Sequence, residues 1–207
     1  MTGKTHIIGG FTAATASLYA AAVAGVCPEE SYSIISCGVY ILSSCVAAPV
    51  PDIDEKNSMI GRRSLIISTL FAMVQLFFKL LIFFSFGKTK RKLKEKARAI
   101  MHRGFTHYLF TWIVLSVFIL VCGAILYCTY GRSVILTIVF GMSTGYLSHL
   151  LLDLISGKIQ LLAPFSKKYI GCRIFPYKSI REVWLARPIL LIAGIYFAYG
   201  LIGRGLW

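Results

Sequence analysis

The sequence predicts an all-α protein, a polytopic integral membrane helix bundle with about four to five spanning helices and a re-entrant or interfacial helical segment near 64–86. The first observation is composition: 57% of the 207 residues are hydrophobic and only 14% are charged, against about 25% charged residues in soluble domains. The second is a mean hydropathy of +0.74. The third is a series of apolar stretches close to the roughly 20 residues that a helix needs to cross a bilayer core.

The first two apolar segments, 5–25 and 33–50, are predicted to be membrane helices. Because the first segment contains His6, we expect it to stay in the mature protein and not to be cleaved as a signal peptide. The second segment is expected to end at Pro49 and Pro51, since proline cannot continue a helix.

Segment 64–86 differs from the others because it contains Gln75 and Lys79. We expect it to return to its starting side as a re-entrant or interfacial hairpin. Three further apolar segments are predicted to be helices: 107–130, 133–155 and 187–203. No repeat, low-complexity tract or linker divides the chain, so 1–207 is interpreted as a single domain.

The formal net charge of +14 raises nucleic acid as one explanation. The basic residues instead lie in blocks beside apolar segments, and the densest block, 88–98, directly follows one. Such blocks are typical of a cytoplasmic membrane face that meets anionic lipid head groups. We therefore expect membrane lipids as partners rather than nucleic acid.

The few ionisable residues in apolar segments are the strongest functional signal, because charge inside a membrane is costly. His149 and Asp153 stand four residues apart on a predicted helix, so their side chains project from one face. This spacing suits a pair of metal ligands. The alternative is that Asp153 only orients a structural His149.

Two carboxylates, Asp52 and Asp54, follow Pro51 in an expected turn, where an aspartate can coordinate a metal without competing with helical hydrogen bonds. An ordinary acidic interfacial loop is the alternative interpretation. Carboxylates together with imidazoles are the ligand set for zinc, manganese or iron.

Two more histidines, His102 and His107, flank Gly104, which permits a sharp turn before the next helix. Arg103 beside them is a fixed cation suited to a phosphate oxygen. An interfacial arginine with two solvated histidines is the alternative.

Membrane topology tests whether these groups can meet. If every apolar segment crossed the membrane, Asp52 and Asp54 would lie on the side opposite to His102 and His107. A hairpin at 64–86 brings them to one face, and it also places there 20 of the 22 lysines and arginines. Because positive charge collects on the cytoplasmic side, both constraints predict the same converging topology, with the site facing the cytoplasm.

At these residues the chain resembles the YdjM-type (LexA-regulated) family of bacterial inner-membrane proteins, described as metal-dependent hydrolases. The resemblance rests on five stretches: Gly3-Lys4-Thr5-His6, Pro51-Asp52-Ile53-Asp54, His102-Arg103-Gly104-Phe105-Thr106-His107, Gly145 to Asp153, and Leu161-Leu162-Ala163-Pro164-Phe165. More distantly, the His149 to Asp153 element is similar to one in zinc-dependent phospholipase C and S1-type nucleases, which use three metals. Leu150, Tyr108 and Ser156-Gly157-Lys158 depart from the expected pattern, so we expect one or two ions.

The resemblance and the clusters together imply a membrane-bound metal-dependent hydrolase of the bacterial inner membrane. We expect a phosphoesterase that acts on a lipid or other phosphoester through metal-activated water, with zinc, or else manganese or iron, as the ion. The expected metal ligands are His6, Asp54, His107, His149 and Asp153. Asp52 is expected to be a ligand or general base, His102 a ligand or general acid, and Arg103 a phosphate clamp. The alternative is a non-enzymatic membrane protein that binds or transports metal with the same ligands.

Overall fold

The computed structural model describes residues 1–26, 33–54, 105–131, 133–166 and 168–204. Within these ranges the chain forms five helices long and apolar enough to cross a membrane and no strand, apart from an isolated bridge between Ile159 and Ile170. The predicted class, a polytopic helical membrane bundle, is therefore confirmed. The predicted hairpin at 64–86 lies outside the described residues.

The five α-helices match the predicted segments to within a few residues. They are α1 (Gly3–Ala24), α2 (Ile34–Ala47), α3 (Leu109–Tyr130), α4 (Ser133–Ser156) and α5 (Arg187–Ile202). Three short turns lie at their ends: 3-10 turns at Val50–Asp54 and Phe105–His107, and a π-helical turn at Glu182–Ala186.

The ends of α2 show how the sequence sets a helix boundary. The Ser33 hydroxyl accepts a hydrogen bond from the Ser36 backbone N–H at 3.2 Å and so caps the start of the helix. The helix ends at Ala47, two residues before Pro49, as expected from the prolines. The chain then turns through the 3-10 segment that carries Asp52.

Helices α1, α2 and α4 pack against one another at the centre, with α5 against α1 and α3 against α4. Two glycines permit close approach to the same turn of α2: a Cβ atom added to Gly145 would lie 2.1 Å from the Ser44 carbonyl oxygen, and one added to Gly10 would lie 2.9 Å from it. Small residues let helix backbones approach in lipid, where apolar packing alone gives no hydrophobic drive. One turn of α2 is thus held between α1 and α4.

The helix ends determine where the polar residues meet. Asp52, after α2, lies 3.5 Å from His107, which precedes α3, and both contact Asp153 or His149 near the end of α4. Segment 55–104 therefore leaves and re-enters the described bundle at the same end. This is the arrangement that the converging topology requires.

Candidate metal centre

Five of the residues predicted to form the site converge at this end of the bundle. His6 comes from the first turns of α1, Asp52 and His107 from the two 3-10 turns, and His149 and Asp153 from α4. The three histidines are fully buried, and the Asp153 side chain is 5% exposed. Asp52, with 14% of its side chain exposed, lies nearest to the solvent. Buried carboxylates are costly unless they are paired or bind a metal.

Four ligand atoms form a compact group: Asp52 Oδ1, His107 Nε2, His149 Nε2 and Asp153 Oδ2. His107 Nε2 lies 3.5 Å from Asp52 Oδ1 and 3.2 Å from Asp153 Oδ2, and the same two oxygens are 3.6 and 3.5 Å from His149 Nε2. The two Nε2 atoms are 3.3 Å apart. In a tetrahedral zinc site with bonds of about 2.0–2.1 Å, neighbouring ligand atoms stand roughly 3.3 Å apart. These five distances thus match those of a tetrahedral metal site, and all four atoms lie within 4.8 Å of one another.

The imidazole of His149 is held so that its lone pair faces this group. Nδ1 lies 2.8 Å from the backbone carbonyl oxygen of Ala48. Because a carbonyl can only accept, Nδ1 carries the proton and donates it. This bond selects the tautomer with the proton on Nδ1, in which Nε2 is the nitrogen that can bind a metal.

His107 is held in a similar way from the other side. The Thr106 hydroxyl lies 3.0 Å from His107 Nδ1, and the Tyr146 hydroxyl donates to the Thr106 backbone carbonyl at 2.5 Å. Tyr146 therefore ties the 3-10 turn of His107 to α4.

The carboxylates of Asp52 and Asp153 make the space between the four ligand atoms favourable for a cation. Burial by itself lowers the pKa of His107, but hydrogen bonds and ion pairs with Asp153 and Asp52 raise the pKa of His107 to about 9. The same negative field favours a divalent ion.

His6 is the fifth member of the cluster. Its ring stacks on that of His149, with centroids 3.8 Å apart and an interplanar angle of 20°. Both of its ring nitrogens are buried and lack a hydrogen-bond partner in the described part of the chain. Nε2 lies 3.4 Å from Asp153 Oδ1 and 3.9 Å from Asp52 Oδ2. A buried polar atom without a partner is unfavourable. Coordination of a metal would satisfy Nε2.

A polar network that the sequence interpretation missed holds the start of α1 against α5. The fully buried Glu182 carboxylate accepts hydrogen bonds from the Thr2 N–H at 2.6 Å, the Thr5 hydroxyl at 2.7 Å and the Lys178 N–H at 2.7 Å. Arg187 donates to the hydroxyls of Thr5 at 3.1 Å and Thr2 at 2.9 Å. A sequence signal existed, because Glu182 is the only acidic residue after Asp153.

Three predicted site residues are not placed. The backbone of Asp54 ends the 3-10 turn after α2, and its side chain lies outside the described part of the chain. His102 and Arg103 also lie outside it. Their expected roles stay predictions.

Comparison with known proteins gives one match. A family model described as YdjM inner membrane protein matches residues 1–205. No curated protein and no solved structure matches the chain. Since the match covers nearly the whole chain, the protein belongs to the YdjM inner membrane protein family.

Proposed function

We propose that this YdjM-family protein is a membrane-bound metal-dependent hydrolase that cleaves a lipid or other phosphoester at the cytoplasmic membrane interface. The observation that carries the proposal is the group of Asp52, His107, His149 and Asp153, whose ligand atoms all lie within 4.8 Å of one another. Histidine and carboxylate ligands are those of catalytic zinc sites, where three of them hold the ion and the remaining place takes a water molecule.

The bound ion would lower the pKa of a water molecule to about 7 and offset charge that develops on the phosphoryl oxygens. The residues divide the remaining tasks. His107, His149 and Asp153, all buried, would hold the ion. Asp52, more exposed and on a 3-10 turn, is a ligand or the base that accepts the proton of the attacking water.

The loop that follows α4 supports a substrate at the membrane surface. Residues 157–181 begin at the site end of α4, where His149 and Asp153 lie. Large apolar side chains of this loop and the adjoining turn are exposed, among them Phe165 at 81%, Ile180 at 79% and Trp184 at 74%. Exposed basic residues lie between them: Lys158, Lys168, Arg173, Lys178 and Arg181. Apolar and aromatic side chains interleaved with basic ones suit the head-group region of an anionic bilayer, where a lipid phosphoester lies within reach.

Metal binding or transport without catalysis is the second candidate. In the described helices, Ser17, Tyr40 and Thr144 form one polar group on the far side of Gly145 from the site, and their hydroxyls bond to one another at 3.1 and 2.7 Å. These hydroxyls are uncharged and already paired, so they provide no chain of ligands across the membrane. Hydrolysis therefore has the stronger support.

The test begins with metal content. Detergent-purified wild-type protein is expected to hold a stoichiometric transition metal that is lost in both His149→Ala and Asp153→Ala. Thr144→Val is the matched control, because it removes a buried hydrogen bond from the same helix without touching the site, and it is expected to keep its metal.

Activity is then measured on metal-loaded protein in lipid nanodiscs, as release of phosphate or head group from a panel of phospholipids and soluble phosphodiesters. Release by the wild type and by Thr144→Val, with loss in Asp52→Asn, is the expected result. A fully loaded protein that cleaves no member of the panel contradicts the hydrolase. Zinc uptake by proteoliposomes that Asp153→Ala abolishes would establish transport instead.

A further inference from the structure

We infer that the centre takes two metal ions, and that His6 with the second oxygens of Asp52 and Asp153 forms the second position. This inference rests on the metal centre of the proposed function and deepens it, because it assigns the number of ions and the role of His6.

The two carboxylates divide their oxygens between two sets of imidazoles. Asp52 Oδ1 and Asp153 Oδ2 are the oxygens near His107 and His149, at 3.2–3.6 Å. The other oxygen of each carboxylate faces His6: Asp153 Oδ1 is 3.4 Å and Asp52 Oδ2 is 3.9 Å from its Nε2. A carboxylate whose two oxygens face different imidazoles can bridge two metal ions.

The stacked rings give the spacing of the two positions. His6 and His149 lie nearly parallel with centroids 3.8 Å apart, and each directs Nε2 toward a different oxygen of the same two carboxylates. Two-metal hydrolases hold their ions about 3.5–4 Å apart. Rings whose centroids are 3.8 Å apart are therefore close enough for each to bind one of two such metal ions.

A purely structural role explains His6 less well. The side chain is fully buried, and neither of its nitrogens has a hydrogen-bond partner within the described residues. A neutral core histidine of this kind would leave Nδ1 unsatisfied and give Nε2 only the 3.4 Å contact with Asp153 Oδ1. As a metal ligand, Nε2 would be satisfied, and its position close to the two carboxylate oxygens would be explained.

One cationic group shares this position with the proposed ion. The Met1 ammonium forms an ion pair with Asp153 Oδ1 at 2.9 Å, and the Ser156 hydroxyl lies 3.4 Å from the same oxygen. Because two positive charges repel each other, an ion in the second position would replace the ammonium at Asp153 Oδ1.

The two positions differ in the number of protein ligands. The first has four, which is typical of closed sites, whereas the second has three from the described residues. Catalytic zinc sites have three protein ligands and leave a place for water. The second position, with one protein ligand fewer, is thus the one that would hold the reacting water.

The experiment counts metal ions per chain in protein reloaded separately with Zn²⁺ and Mn²⁺, for wild type, His6→Asn and Ser17→Ala. Ser17 lies on the same helix as His6 and bonds to Tyr40 away from the site, so Ser17→Ala is the control. Gel filtration and thermal unfolding verify that each variant is folded. Electron paramagnetic resonance of the Mn²⁺ form reports exchange coupling between two neighbouring ions, a readout independent of activity.

The inference is supported if wild type and Ser17→Ala each bind two ions with a coupled Mn²⁺ signal. Folded His6→Asn should then bind one ion with an uncoupled signal. One ion in wild type overturns it but leaves the proposed function standing. His6→Asn that keeps two ions also overturns the inference, because His6 would then not be a ligand. His6→Asn that keeps no ion overturns it as well, because His6 would then be needed at both positions. A metal-free wild type contradicts the second position and the proposed function together.

Discussion

The contact between α2 and α4 at Gly145 gives a quantitative test of how packing supports the centre. Gly145 lies one turn before His149 on α4 and faces Ser44, which lies one turn before Ala48 on α2. The Ala48 carbonyl accepts the His149 Nδ1 hydrogen bond at 2.8 Å. A change that separates the two helices at Gly145 therefore reaches the metal ligand directly.

Gly145→Ala would bring its Cβ to 2.1 Å from the Ser44 carbonyl oxygen, and real Cβ contacts essentially never fall below 3.0 Å, so the helices must separate by about 1 Å. The bond between His149 and Ala48 would lengthen beyond the roughly 3.2 Å limit of a good hydrogen bond. Overpacking costs about 1–3 kcal/mol, of which better helix propensity returns at most about 1 kcal/mol. Loss of a group that orients a ligand lowers metal affinity by about 10- to 100-fold.

Thermal unfolding in detergent and a zinc titration measure the two effects. Gly38→Ala on α2 is the matched control, because a Cβ there meets nothing within 4 Å. It is expected to leave zinc affinity unchanged and stability equal or up to about 1 kcal/mol higher. The reasoning is refuted if Gly145→Ala binds zinc as tightly as wild type, or if both variants change stability in the same direction.

Three further outcomes are expected. Glu182→Gln is expected to lower stability by about 2–4 kcal/mol, because an amide cannot accept from all three donors and its remaining bonds lose their charge. The control, exposed Arg181→Gln, stays within about 0.5 kcal/mol in the same unfolding assay. Equal effects of the two variants would refute the role of Glu182. Tyr146→Phe removes the hydrogen bond to the Thr106 carbonyl and is expected to weaken zinc binding by about tenfold, while Tyr40→Phe, remote from the centre, leaves the affinity unchanged. Equal zinc affinities of the two variants would contradict this. Chelation is expected to lower the unfolding temperature and zinc to restore it, since an ion at 100 times its Kd stabilises by about 2.7 kcal/mol; no shift would contradict the centre.

The helices were predictable because a membrane span needs length and apolarity, and both are local properties of the sequence. The end of α2 followed from Pro49 and Pro51, and the structure places it at Ala47. The convergence of Asp52 with His107 was predictable from charge, because basic residues and candidate ligands required the same topology. The structure brings these two side chains to 3.5 Å.

What the sequence did not reveal depends on contacts between distant positions. Glu182 bonds to Thr2 and Thr5, some 180 residues earlier, and no local pattern pairs them. The division of carboxylate oxygens between His6 and His149 likewise requires coordinates. The close approach at Gly145 had a partial signal, since Gly141 precedes it by four residues, the small-residue spacing of packed membrane helices. That spacing does not identify Ser44 as the partner.

The placement of the ligands explains why apparently structural residues are expected to control the chemistry. Asp52 and His107 stand on short 3-10 turns, which by themselves fix a side chain poorly. Their positions come from α4, through its close approach to α2 and through the Tyr146 hydroxyl. His6 instead depends on the first turn of α1, which Glu182 holds against α5. The two attachments share one ligand, because the Met1 amino group at the start of α1 also bonds to Asp153 at 2.9 Å. Disturbing the first should therefore weaken mainly the four-ligand position, whereas disturbing the second should act on His6 and, through Met1, on Asp153.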